Sequence, residues 1–323
     1  MFPTRRNLAK QAVKVTNSTK KRFKQVKYLE FSAETGLKDF NPNSPARFKN
    51  TFREYPAIAK WFIRPAPELK SPDPARLNLG YLEQFGTTIV PLELTKSAQD
   101  GTSEFKRFEA PLSLLLSHMT GKDTPSSQLY LAQHAISDLP AGMQADLATP
   151  EILKHLGKGD IYASSLWMGR PPTRTPLHRD PNPNLLIQLS GKKVVRLMEP
   201  TLGNKLYESV KEHIGKTDSR ASMRGEEMMQ GKELKTLEAA VWDDKNGGYT
   251  EMKGFEIELG LGDGLYIPLG WWHAVHGVGT IPNVSVCYSF ESESGHANSV
   301  IGKLVVSLIT EPASHVYTPS LTP

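Results

Sequence analysis

The residues best placed to do chemistry are Leu177-His178-Arg179-Asp180 and, well beyond them in the chain, Trp271-Trp272-His273. On an extended strand residues i and i+2 project to one face, so His178 and Asp180 can address one ion while Arg179 points away. One imidazole and one carboxylate do not complete a metal site. The third ligand is read in Gly262-Asp263-Gly264-Leu265-Tyr266-Ile267-Pro268-Leu269-Gly270-Trp271-Trp272-His273: a turn, an apolar strand ending in proline, then a histidine at a strand end. Two histidines and one carboxylate form a facial set with open coordination positions, which suits Fe(II), and zinc with the same ligands is chemically allowed. The competing reading makes His273 a packed histidine beside two tryptophans. His276 faces the opposite side of a continuing strand and is read as a non-ligand. His134, His213, His296 and His315 have no acidic or histidine partner at ligand spacing and read as surface or structural.

A second feature lies in Lys192-Lys193-Val194-Val195-Arg196-Leu197-Met198. Alternation groups Lys193 with Val195 and Leu197, and Lys192 with Val194, Arg196 and Met198. A lysine on the more apolar face costs desolvation unless an anion pairs with it, and a carboxylate deep in a barrel beside a metal would be such an anion. The alternative is a strand-start lysine that snorkels to solvent. Spacing alone leaves both open. In Asn283-Val284-Ser285-Val286-Cys287-Tyr288-Ser289-Phe290, alternation puts Ser285, Cys287 and Ser289 on one face and the apolar residues on the other.

The elements that must position these groups are mostly short strands. From Ser164 onward, runs at 164–168, 185–190, 192–198, 255–259, 264–267, 274–277 and 284–290 are separated by turn signals, among them Ser190-Gly191-Lys192, and predict an all-β sandwich or barrel core. Residues 201–254 are more polar and read as an insertion between two barrel strands, helical over 205–215 and 232–242. Upstream, helices are expected at 56–62 and 110–118 and strands at 87–94 and 128–133. The tail from 296 to 311 has the spacing of an amphipathic helix. It is read either as a dimerisation helix or as packed on its own barrel.

Composition narrows the function classes. With 38% hydrophobic and 23% charged residues, the 323-residue chain has an ordinary globular composition and length for a full core. A single cysteine, Cys287, excludes an intramolecular disulfide and any thiolate cluster for zinc. The net charge of +5 belongs to the beginning of the chain: residues 1–29 hold nine of the 39 Lys/Arg and no acid, leaving 30 basic against 34 acidic residues elsewhere. A nucleic-acid role argued from overall charge therefore loses its support. The 1–29 segment is read as a mitochondrial transit segment, a basic arm for nuclear import or RNA, or a solubilising tail. No apolar run reaches the length of a spanning helix, so an intracellular protein is expected, mitochondrial if 1–29 is a transit segment and otherwise cytoplasmic or nuclear.

Taken together, Leu166-Trp167-Met168-Gly169, Thr175-Pro176-Leu177-His178-Arg179-Asp180, Asn184-Leu185-Leu186, Gly191-Lys192-Lys193 and Gly262-Asp263 through His273 resemble the small JmjC/cupin-8 hydroxylases, the factor-inhibiting-HIF-like asparaginyl hydroxylases among them. The match is specific over about 128–290, and 40–127 resembles the family more loosely. The resemblance implies a mainly β fold: a double-stranded β-helix (jelly-roll, cupin-like) core over 30–295 with flanking N-terminal and C-terminal helices, binding Fe(II) beside the co-substrate 2-oxoglutarate. It makes His178, Asp180 and His273 the metal ligands and Lys193 the partner of the distal carboxylate of 2-oxoglutarate. Thr175 and Tyr130 match hydrogen-bonding positions for that co-substrate, and Asn184 matches an asparagine near its metal-bound end. Cys287 departs from the pattern, standing where similar enzymes often carry asparagine, and as a weak donor it implies looser co-substrate binding or altered O2 handling. The implied activity is C–H hydroxylation by a dioxygenase. A protein side chain is the expected substrate, ahead of a tRNA base or a methyl-lysine to be demethylated. A non-catalytic cupin scaffold and a zinc hydrolase are the rivals from other classes.

Overall fold

The computed structural model describes residues 23–64, 75–97, 103–121, 127–158, 160–215, 231–244 and 253–291. Two sheets carry the architecture. The smaller runs Phe23–Gln25, Gly254–Leu259, Lys192–Met198, Trp272–Val278, Thr173–Arg179. The larger runs Lys27–Tyr28, Ala46–Phe48, Gly264–Ile267, Asn184–Ser190, Asn283–Phe290, Ile161–Gly169, Ser127–Ala135, Ile89–Ser97, Ser103–Pro111. From Ile161 to Phe290 the chain passes repeatedly from one sheet to the other, in the winding of a double-stranded β-helix, and those strands pair antiparallel. The mainly β, jelly-roll expectation is met.

Side-chain alternation sorts the apolar residues into three layers. Between the sheets lie Val195, Leu197, Ile257, Leu259 and Val275 from the smaller sheet, facing Leu186, Leu265 and Ile267 from the larger. The outer face of the larger sheet presents Leu185, Ile187, Val284, Val286 and Tyr288 to the N-terminal helices, with Trp61, Leu82, Leu112 and Met143 packed against it. The outer face of the smaller sheet presents Leu177, Met198, Trp272 and Ala274 to the helices Pro200–His213 and Gly231–Trp242. These two helices occupy the polar segment between Met198 and Gly254. Each fully buried aliphatic side chain stabilises the fold by roughly 1.5–3 kcal/mol. The first helix starts with Pro200 in its first turn and seats directly on Trp272. A side chain at Gly203 would put its Cβ 2.0 Å from the Trp272 ring, and Asn204 accepts the indole N–H at 2.9 Å.

Several boundaries differ from expectation for physical reasons. Phe23–Gln25 pairs with Gly254–Leu259, Lys27–Tyr28 pairs with Ala46–Phe48, and Val26 and Leu29 are buried. The folded core thus reaches into the basic 1–29 segment, where Lys24 and Lys27 lie on edge strands. The 56–62 helix stops at Lys60, where Phe62–Ile63 pairs with Arg76–Leu77. Ser103–Pro111, where the sequence carries no alternation, is a hairpin partner of Ile89–Ser97. The strand Thr173–Arg179 was not among the expected runs because Pro176 interrupts it, and the ladder accommodates the proline with an irregularity between Thr175 and His178. The helix expected at 296–311 lies outside the described residues, as do residues 1–22. Among the described residues no helix is long and apolar enough to cross a membrane.

Candidate metal centre

His178 and His273 come from adjacent strands of the smaller sheet and are direct partners across the ladder. Their rings lie 4.1 Å apart between centroids. In each, Nδ1 faces a backbone carbonyl two residues earlier: Pro176 at 2.8 Å for His178 and Trp271 at 3.2 Å for His273. A carbonyl only accepts, so Nδ1 carries the proton and Nε2 keeps its lone pair. Both Nε2 atoms face Asp180, at 3.8 Å from Oδ1 for His178 and 3.5 Å from Oδ2 for His273. The ligand atoms of His178, Asp180 and His273 all lie within 4.8 Å of one another, and this is the one such group of three among the described residues. Burial, reinforced by His178, pushes the His273 pKa down to about 4, which keeps its imidazole neutral and ready to ligate. Two imidazoles with Nε2 turned toward Asp180 and one carboxylate therefore fit a divalent metal of the Fe(II) type. Asp180 itself sits just past the end of its strand, Arg179 being the last strand residue, so strand alternation alone does not place it.

Lys193 is buried between the sheets, not snorkelled to solvent. Its ammonium donates to Ser285 Oγ at 2.6 Å and lies 5.7 Å from the Trp167 ring, and among the described residues it forms no ion pair. Burial pushes its pKa down to about 8. Tyr130 is buried beside Trp167, at 6.0 Å between ring centroids, with its hydroxyl in the neighbourhood of the Thr175 and Thr173 side chains. Burial raises the phenol far above its ordinary value, so it stays protonated. Gly169 makes this seat possible, since a Cβ there would come within 2.6 Å of the Tyr130 ring. Cys287 lies between the two ends of the pocket, close enough to feel both the Asp180 carboxylate and the Lys193 ammonium. Burial, reinforced by Asp180, pushes its thiol well up, so it is protonated. Asn184, fully buried, donates its amide to Asp180 Oδ2 and accepts from Ser289 Oγ.

The eight residues singled out in the sequence thus form one connected group, with the metal-ligand set at one end, Lys193 and Tyr130 at the other and Cys287 between them. The sequence reading did not assign Trp167, Ser285 or Ser289 to the site. The signal for the two serines was present in the alternation that puts them on the same face as Cys287. His276 takes the opposite face, as expected: its Nε2 donates to Glu238 at 2.9 Å and its ring stacks on Trp242. His134, expected to be surface or structural, is buried, and burial lowers its pKa.

Comparison with known proteins adds an independent line. The family model described as "Cupin-like domain" matches residues 34–296. The chain is 30% identical over 272 residues to "Lysine-specific demethylase JMJ30" of Arabidopsis thaliana, covering 81% of this chain and 54% of that protein. It is 28% identical over 269 residues to "Jumonji C domain-containing protein 5" of Drosophila melanogaster, covering 80% and 57%. It is 22% identical over 254 residues to "Lysine-specific demethylase 8" of Xenopus tropicalis, covering 77% and 48%. The chain spans about half the length of the curated relatives it matches.

Proposed function

The chain belongs to the Cupin-like domain family, and on that premise we propose that it is an Fe(II)- and 2-oxoglutarate-dependent oxygenase that hydroxylates a C–H bond on a protein side chain. The observation that carries this reading is the pairing of a His178/Asp180/His273 ligand set with a buried ammonium at Lys193 whose one hydrogen-bond partner among the described residues is the Ser285 hydroxyl. Bound iron and 2-oxoglutarate together supply O2 activation coupled to oxidative decarboxylation, leaving succinate and an oxygen atom for the substrate.

The chain's own residues do the positioning. Lys193, with Ser285, Tyr130 and Thr175 near it, offers a cation and hydroxyl groups to a distal carboxylate. Burial strengthens that charge-assisted contact. At the other end of the pocket His178, Asp180 and His273 would hold the metal, the two histidines with their Nδ1 protons on backbone carbonyls away from it. Leu186, Val195 and Val275 form apolar walls between the sheets and keep the space dry. The pocket is complementary to a short dianion with a chelating group at one end.

Two relatives named lysine-specific demethylases favour a second reading, removal of a methyl group from lysine. The two readings share their chemistry: hydroxylation of an N-methyl carbon gives an unstable product that releases formaldehyde. The test is anaerobic loading with Fe(II), addition of O2 and 2-oxoglutarate, and assay of succinate with and without a peptide library. Succinate formation that Asp180→Ala abolishes supports the oxygenase reading, and turnover that survives Asp180→Ala with iron still bound contradicts it. Mass gain of one oxygen on a peptide supports hydroxylation, whereas loss of a methyl group with formaldehyde supports demethylation. Modification of tRNA in place of peptide would move the substrate class to nucleic acid.

A further inference from the structure

We propose that Ser289, acting through the side-chain amide of Asn184, is a positioning residue that orients the Asp180 carboxylate for metal binding. The proposal rests on the metal-centre reading above and adds to it the residues that hold its least constrained ligand.

The three ligands are not equally supported. His178 and His273 are held in the ladder and each is fixed by its Nδ1 proton on a carbonyl. Asp180 lies beyond the strand end, and its side chain is 31% exposed against 5% for His273. A carboxylate on such a segment rotates about its side-chain torsions unless something stops it. The restraint comes from the opposite sheet. Asn184 Nδ2 donates to Asp180 Oδ2, and Asn184 Oδ1 accepts from Ser289 Oγ. Asn184 and Ser289 are direct partners across the Asn184–Ser190 and Asn283–Phe290 strands, so the sheet itself sets their spacing.

Donor and acceptor chemistry fixes the direction of this chain. A carboxylate only accepts, so the NH2 end of the Asn184 amide must face Asp180. The carbonyl end must then face Ser289, whose hydroxyl supplies the donor. Asn184 is 1% exposed, which leaves no solvent to take over either contact. Removing the Ser289 hydroxyl strips the amide carbonyl of its buried donor. It also removes what opposes the turned-over amide, in which a carbonyl would confront the carboxylate. Partners that orient ligands in this way typically change metal affinity or activity 10–100-fold when lost.

The experiment is anaerobic titration of Fe(II), with Co(II) as a redox-stable companion, into the full chain and its variants. The readout is the metal dissociation constant, with the melting temperature of the metal-free protein measured alongside. Ser289→Ala should weaken both metals by roughly tenfold, while the metal-free protein still melts in one cooperative transition, lowered by the lost buried hydrogen bond. Ser289→Thr, which keeps the hydroxyl on a strand position that suits a β-branched residue, should recover most of the affinity. The double variant Ser289→Ala/Asn184→Ala should bind no worse than Asn184→Ala alone, because the serine acts through the amide. Wild-type affinity in Ser289→Ala, no recovery in Ser289→Thr, or losses that simply add in the double variant would each overturn the proposal. Failure of the wild type to bind either metal would overturn the metal-centre reading, and this proposal with it.

Discussion

Lys193 and Arg196 leave the same strand in opposite directions, and the two faces of the smaller sheet treat a buried cation in contrasting ways. Arg196, on the helix-covered face, donates to Glu256 at 2.7 Å, to both oxygens of Asp244 at 2.9 Å and to the Val241 carbonyl at 2.6 Å. Its guanidinium also lies 4.2 Å from the Phe23 ring centroid and 4.8 Å from that of Trp242. Lys193, on the inner face, has one hydroxyl at 2.6 Å. The histidines repeat the contrast: His276 is taken up by Glu238 and Trp242, while His178 and His273 direct free Nε2 lone pairs toward Asp180. The outer face is a finished structure that locks the inserted helices onto the strands. The inner face carries a desolvated charge and unshared lone pairs that the fold alone does not satisfy, which is how a binding site differs from a core.

The largest expected effect separates the two cations. Lys193→Met should raise the KM for 2-oxoglutarate at least a hundredfold, a loss of about 3 kcal/mol of charge-assisted contact. The same change should stabilise the ligand-free protein at neutral pH, because it removes a buried cation that no anion among the described residues offsets. Arg196→Met should do the reverse. It removes the contacts that Arg196 makes to Asp244 and Glu256 and costs about 2 kcal/mol, less than a fully buried pair because both carboxylates are partly exposed. KM in the molecules that remain folded should be unchanged. Denaturant unfolding and steady-state kinetics on both variants read the contrast directly. A destabilised Lys193→Met with normal KM would erase it.

The pH dependence of stability follows from the same lysine. Its pKa is about 8 in the folded protein against 10.5 as the ordinary value. Between those values the unfolded chain holds the proton that the folded chain has released, so stability rises with pH across that window. Below it the contribution is flat. Denaturation midpoints of the ligand-free wild type should therefore climb relative to Lys193→Met as pH passes upward through 8, and parallel curves would remove the buried-cation argument. On the outer face His276→Gln should cost about 1 kcal/mol through the lost Glu238 contact and leave 2-oxoglutarate binding untouched. The smallest effect is expected at Cys287. Cys287→Asn supplies a stronger donor and should tighten 2-oxoglutarate binding a few-fold, and a weakened variant would show that the thiol is the better fit.

Much of this site was legible in the sequence because strand alternation is a strict rule wherever one face is buried. It separated Lys193 from Arg196, His273 from His276, and Ser285, Cys287 and Ser289 from their apolar neighbours. Alternation could not choose between a buried and a snorkelled Lys193, since that depends on which sheet lies opposite. It also failed at Pro176, which disguised the Thr173–Arg179 strand, and at Asp180, whose position depends on Asn184 and Ser289 across the pocket. Ser103–Pro111 pairs with Ile89–Ser97 despite its lack of pattern because it is largely exposed on both faces, and exposed edges carry little apolar signal. The role of residues 23–28 was hidden for a related reason: Lys24 and Lys27, two of the nine basic residues that made the segment look like a leader, sit on edge strands, where such residues block further pairing.

The central claim is that the buried ammonium of Lys193, which forms no ion pair among the described residues, is the seat of 2-oxoglutarate in a metal-containing pocket. Calorimetric titration of 2-oxoglutarate into the Co(II)-loaded protein tests it most directly, with wild type, Lys193→Met and Arg196→Met compared under one buffer. The account predicts one site per chain in the wild type and in Arg196→Met, and affinity reduced at least a hundredfold in Lys193→Met. Equal binding by the wild type and Lys193→Met would contradict it.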